Sequence, residues 1–102
     1  MTTDIDIKID EEIKKIVKKP SKYNVIMLND ATTPIAWVMG VLKEIFRHSE
    51  ADAEALTMKI HTEGSAVVGT YAYEIAEQKS VEAVNASRNN GFPLQLKVEE
   101  AE

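Results

Sequence analysis

The sequence predicts an α+β fold. It is a two-layer sandwich in the order strand-helix-helix-strand-helix-strand, with a three-stranded antiparallel sheet and three helices on one face. Three observations predict it. Apolar residues recur at period two, then at three to four, and alternate between the two along the chain. Turn and cap residues punctuate each change: Asn29-Asp30, Thr33-Pro34, Ser49, Gly64 and Asn89-Asn90-Gly91. Six elements in about eighty residues leave room for a single helical layer against a small sheet.

The first strand is Tyr23 to Asn29, with Val25, Ile26, Met27 and Leu28 as its body. Thr33 then offers an N-cap oxygen, and Pro34 suits the first helical position because its missing amide hydrogen is not needed there. Ile35, Val38, Leu42 and Ile45 follow at helical spacing beside Trp37, Val41 and Phe46, and the helix ends near Arg47-His48. Ser49-Glu50-Ala51-Asp52 resembles a capping box and opens a second helix through Leu56 and Ile60, stopped by Gly64. Ala66 to Tyr71 is a β-branched strand. A third helix runs from Glu74 to Arg88 with Ile75, Val81 and Val84 available for burial. Pro93 to Val98 alternates Leu94 and Leu96 with polar neighbours as a last strand, and the acidic end from Glu99 should fray.

Residues 1–22 differ from this core. They hold no aromatic residue and are dense in Asp, Glu and Lys. Any helix there ends at Pro20 and is too short to be stable alone in water. The expected organisation is therefore a flexible extension over 1–22 and one core domain over 23–99.

Composition narrows the function classes. A net charge of -5 argues against a nucleic-acid binder, which needs a basic stripe. The longest apolar run, Ile35 to Leu42, is far below the roughly 20 residues that span a bilayer, and the N-terminus does not read as a signal peptide. The absence of cysteine removes disulfides, thiolate nucleophiles and cysteine-based zinc sites, which fits a reducing, cytoplasmic setting. No nucleophile–base pair, phosphate loop or metal spacing is visible among the scattered glycines, serines and two histidines, so neither an enzyme nor a cofactor is expected.

Two features remain. Asn29-Asp30 puts an amide beside a carboxylate where two apolar elements meet; it serves either as an Asx turn that orders the loop or as a dock for a cation. His61 lies one helical turn after Thr57, so the two share a face; alone, a histidine near a helix C-terminus suits the dipole there.

The segments "VIMLNDATTP", "VL", "MKIHTEG", "GTYAYEIAEQK" and "FPLQL" resemble, in order and spacing, the ClpS adaptor family of the N-degron pathway over roughly residues 20–99. The resemblance implies recognition of proteins that begin with a bulky hydrophobic residue, and their delivery to a ClpA- or ClpC-type AAA+ unfoldase working with ClpP. It implies that Asn29, Asp30 and His61 bind the α-amino group, and that Thr33, Ile35, Val38, Thr57 and Leu94, with Leu28 behind, form the pocket for the first side chain. It places the unfoldase contact near Glu74 and Lys79, gives the charged tail a role in delivery, and implies a monomer without nucleic-acid or membrane partners.

The chain departs from the family pattern at four positions. Ala31 replaces a second acid, Ala36 a capping Glu, Ala72 a capping Thr, and Thr57 a common Met that gates the pocket. Thr57 is expected to leave the pocket wider and more polar. Two rival classes share the fold: an anti-adaptor that occupies the unfoldase without cargo, and a general interaction module like the C-terminal domain of the ribosomal stalk protein. A small hydrolase has only His61 in its favour.

Overall fold

A computed structural model describes residues 21–101. The expected extension lies, up to residue 20, outside the described residues. The elements are β1 (Lys22–Leu28), α1 (Ile35–Glu44), α2 (Glu50–Glu63), β2 (Ser65–Ala72), α3 (Tyr73–Asn89) and β3 (Gln95–Glu100). The strands form one antiparallel sheet in the order β2-β1-β3. This is the predicted α+β architecture. Helix α3 packs on all three strands, α2 packs on β2, and α1 packs on α2.

The strand pleat sets the core. Val25 and Met27 of the central strand are fully buried, with Val98 and Leu96 opposite them on β3. On β2 the register slips between Val25 and Ile26, so that Val68 and Gly69 together oppose Val25. This bulge keeps both Val68 and, beyond it, Tyr71 on the core side. Gly69 has no side chain because the Tyr71 ring folds back over it; a Cβ there would sit 2.6 Å from Tyr71 Cζ. Val38, Val41, Leu42 and Phe46 of the α1 segment and Ala53 and Ile60 of α2 complete the interior.

The buried stripe of α3 corrects the sequence reading. Ile75 and Val81 are 46% and 51% exposed, while Ala76, Ser80, Ala83 and Ser87 are buried. These four recur at steps of four, three and four, which is one helical face. Small residues there let the helix lie close to a sheet whose own large side chains fill the core. The two serine hydroxyls remain satisfied by donating to the carbonyls of Ala76 and Ala83, four residues earlier, at 2.8 and 2.7 Å. Ser87 also accepts a bond from the Trp37 indole N–H at 2.8 Å, which ties α1 to α3.

Three boundaries also move. The first helix is capped by the extended Pro34, without a side-chain hydrogen bond, because the Thr33 hydroxyl is engaged elsewhere. It ends at Glu44, before Arg47-His48. Arg47 turns into the left-handed region at φ 60°, and the His48 amide reaches back to the Leu42 carbonyl at 3.0 Å. The acidic end does not fray at Glu99: Glu99 and Glu100 pair with Asn24 and Tyr23, and the Ala101 amide donates to Lys22 at 2.8 Å. The central strand supplies ladder partners that outweigh the local polarity.

Other caps follow the sequence. Ser49 accepts from the Asp52 amide at 3.1 Å, which is the forward half of the expected box. Gly64 closes α2 at φ 91°, a conformation open to glycine. Ala72 caps α3 without a side-chain bond, as its replacement of Thr implies.

Ser87→Ala should destabilise the fold by about 1–3 kcal/mol by leaving the indole N–H without its acceptor. Urea denaturation measures this. In a Trp37→Phe background the same substitution should cost clearly less, because the donor is then absent.

Candidate functional site

The site begins at the end of β1. Beyond Leu28 the Asn29 amide donates to the Gly64 carbonyl at 2.9 Å, which brings the strand end beside the last turn of α2. That turn carries His61, so an amide and an imidazole far apart in sequence come to one place. The left-handed Gly64 turns its carbonyl to make this possible.

Asp30 then builds the loop. Its Oδ1 accepts from the Thr32 and Thr33 amides at 2.8 and 2.7 Å, and its Oδ2 accepts from the Thr33 hydroxyl at 2.7 Å. The Asx-turn reading of Asn29-Asp30 is therefore correct for Asp30. A carboxylate offers about four acceptor positions, so Oδ1 is filled while Oδ2 keeps one free. Partial burial would raise the Asp30 carboxyl. Donation from the Thr33 hydroxyl and from the Thr33 and Thr32 amides outweighs this and holds it below its ordinary 3.8.

The loop, the start of α1, α2 and the residue before β3 enclose a cavity of about 430 Å³. All the residues expected of the α-amino site and the pocket line it: Asn29, Asp30 and His61, together with Leu28, Thr33, Ile35, Val38, Thr57 and Leu94. Asn29 and His61 are exposed at the mouth, whereas Val38, Thr57 and Leu94 are buried within. Thr32, Pro34 and Ile60 were not foreseen. Ile60 had a signal, since it stands three residues after Thr57 on the same helical face. The two loop residues carried none.

Thr57 is part of the cavity lining. It is 6% exposed and lies in the wall, and its hydroxyl donates to the Ala53 carbonyl at 2.7 Å. The hydroxyl hydrogen is thus already engaged within α2. Ile35, 56% exposed, stands at the mouth instead.

Glu74 and Lys79 lie apart from the cavity. Glu74 is exposed in the first turn of α3. The Lys79 ammonium donates to the Ile45 carbonyl at the end of α1 at 2.7 Å and sits 5.4 Å from the centre of the Tyr71 ring. It caps a helix and covers an aromatic face, so it is not a freely solvated side chain. His48 is likewise structural, with Nε2 2.6 Å from the Val68 carbonyl. Among the described residues no group of three or more His, Asp or Glu side chains converges to hold a metal ion, and no helix is long and apolar enough to cross a membrane.

A family model described as the ATP-dependent Clp protease adaptor protein ClpS matches residues 18–97. The chain belongs to the ClpS family. It is similar to the ClpS of Treponema denticola, 48% identical over 81 residues that make up 79% of this chain and 80% of that protein. It is 39% identical to the ClpS of Caulobacter vibrioides over 88 residues, 86% of this chain and 81% of the relative. Its fold matches that of Agrobacterium tumefaciens ClpS2, solved bound to L-phenylalaninamide, with a TM-score of 0.78 and 41% identity over 80% of this chain and 99% of the other. ClpS proteins are adaptors of the Clp protease, not enzymes.

The lowered Asp30 carboxyl has a pH consequence. Its hydrogen bonds stabilise the loop fully above the ordinary carboxylate value and are lost as the pH falls through the lowered one. The Thr33 amide resonance should therefore titrate with a midpoint below 3.8. A midpoint at or above that value would show that the carboxylate is not held by these bonds.

Proposed function

We propose that this chain binds the free N-terminus of proteins that begin with a bulky hydrophobic residue and hands them to a ClpA- or ClpC-type unfoldase for degradation by ClpP. One observation carries the reading: a single cavity combines a polar mouth of Asn29, Asp30 and His61 with an apolar interior of Val38, Ile60 and Leu94. Phenylalaninamide, the ligand of the A. tumefaciens protein, carries a free α-amine and an aromatic side chain, which supports it.

The chemistry follows from the two halves. A protonated α-amine meets the Asn29 side-chain oxygen and the open position on Asp30 Oδ2, with His61 alongside. Charge-assisted bonds of this kind contribute about 1.5–3 kcal/mol each. An internal peptide bond has one hydrogen and no charge to offer, so it leaves these groups unpaired and is rejected. Burying a Leu or Phe side chain inside adds about 1.5–3 kcal/mol. Nothing is cleaved, and no nucleophile is needed.

For the unfoldase we retain Glu74 as a contact. Lys79 is a poorer probe, because its removal also uncaps α1. The N-terminal extension, expected to act in delivery, lies outside the described residues.

Acetylating a Leu-initiated peptide removes the charge and two hydrogens. Its affinity should fall at least about tenfold, equivalent to 1.4 kcal/mol, in a fluorescence-anisotropy titration. Equal binding of the free and acetylated peptides would overturn the reading.

Thr57→Met should act by filling the interior. It adds length to a buried wall, so Phe-initiated peptides should lose about tenfold relative to Leu-initiated ones. An unchanged Phe-to-Leu ratio would show that residue 57 does not bound the space for the first side chain.

A further inference from the structure

The two edges of the sheet differ. Strand β2 is guarded: a bulge interrupts its register, α2 packs on it, and His48 Nε2 lies 2.6 Å from the Val68 carbonyl. Strand β3 is open. The Ala101 amide donates to the Lys22 carbonyl, and antiparallel bonding alternates along a strand. Gln95, Lys97 and Glu99 therefore also turn their amides and carbonyls to β1. Those of Leu96, Val98 and Glu100 point outward, and among the described residues no turn, loop or cap backbone bonds to them. The side chains of Leu96 and Val98 pack toward the core, so Lys97 and Glu99 lie on the other face of the sheet. They are 51% and 54% exposed and pair with each other at 3.1 Å.

We propose that this edge pairs with β3 of a second copy of the chain, antiparallel, with the twofold axis at Val98. Val98 then exchanges both backbone bonds with its counterpart, and Leu96 does so with the second copy's Glu100. The charges select this register. It sets each Lys97 directly opposite the second copy's Glu99, at the positions where facing side chains come closest. The two ion pairs merge into a quartet of alternating sign. Moving the axis to residue 97 or 99 sets Lys97 against Lys97 or Glu99 against Glu99, which is repulsive. Charges that usually blunt an edge are self-complementary here. One short strand makes a small interface, so the pairing is transient and stands beside the monomer that the family resemblance implies.

Sedimentation velocity of the full chain at low salt, at about 10 and about 500 μM, brackets an affinity of that class. The mass should rise from one chain toward two. At the higher concentration the outward amides of Leu96, Val98 and Glu100 should gain protection from hydrogen exchange. Glu100→Pro removes an outward amide and no bond to β1, so the chain should stay folded by circular dichroism while association weakens. Lys97→Glu and Glu99→Lys should each weaken self-association at least about tenfold. Mixed together, these two variants should associate with each other, because every facing pair is then of opposite sign. The double variant should self-associate like the wild type. A wild type that stays monomeric at the higher concentration overturns the inference; if the outward amides are protected in that monomer, another part of the same chain covers the edge. Association that Glu100→Pro and both charge variants leave intact, or a mixture no more associated than its components, overturns it as well.

Discussion

Asp30 accepts three hydrogen bonds from its own loop, and the site is built around that constraint. The bonds turn the chain sharply after β1, carry it past the mouth of the cavity, and deliver Pro34 and Ile35 to the start of α1. They also explain why Thr33 does not cap that helix: its hydroxyl is held by the carboxylate. A short chain with a small core has little stability to spare, so a loop that orders itself is an economical way to present a binding surface. The same carboxylate keeps one acceptor position free on Oδ2.

The second anchor is Gly64. By accepting the Asn29 amide, its carbonyl fastens the end of β1 to the end of α2 and brings Asn29 to His61. Behind these anchors the sheet and α3 act as a base. The small-residue stripe of α3 and the bulge at Val68-Gly69 bring helix and sheet into close packing, and the Trp37–Ser87 bond fixes α1 against α3. Polar groups in this base are satisfied internally, and among the described residues no buried side-chain nitrogen or oxygen lacks a partner. The adaptor thus joins a closed scaffold to an open, polar-rimmed cavity.

The departures from the family pattern separate into two kinds. Ala72 leaves the start of α3 without a side-chain cap, and its effect is on stability, whereas at α1 the cap residue is Pro34, so Ala36 removes no capping box there. The other two, Ala31 and Thr57, line the cavity. Thr57 donates its hydroxyl hydrogen to its own helix, while the β-branched Ile35 lines both this cavity and a second one between α1 and α2.

The sequence by itself determined the element order, the one-sided sandwich, the stop at Gly64 and the cap at Ser49, because hydrophobic period and cap chemistry are local properties. Its motifs also marked the residues that line the cavity. Tertiary structure decided which face of α3 is buried: side-chain size pointed to Ile75 and Val81, but the sheet accepts only a stripe of small residues. It decided that Glu99 and Glu100 continue β3, since a neighbouring strand supplied partners that no local pattern records. It decided the roles of Lys79 and Thr57 as well, whose hydrogen-bond acceptors are a distant helix end in one case and the preceding helical turn in the other. Residue type can suggest a contact, but whether a polar group remains free to make it depends on what the fold has already placed within its reach.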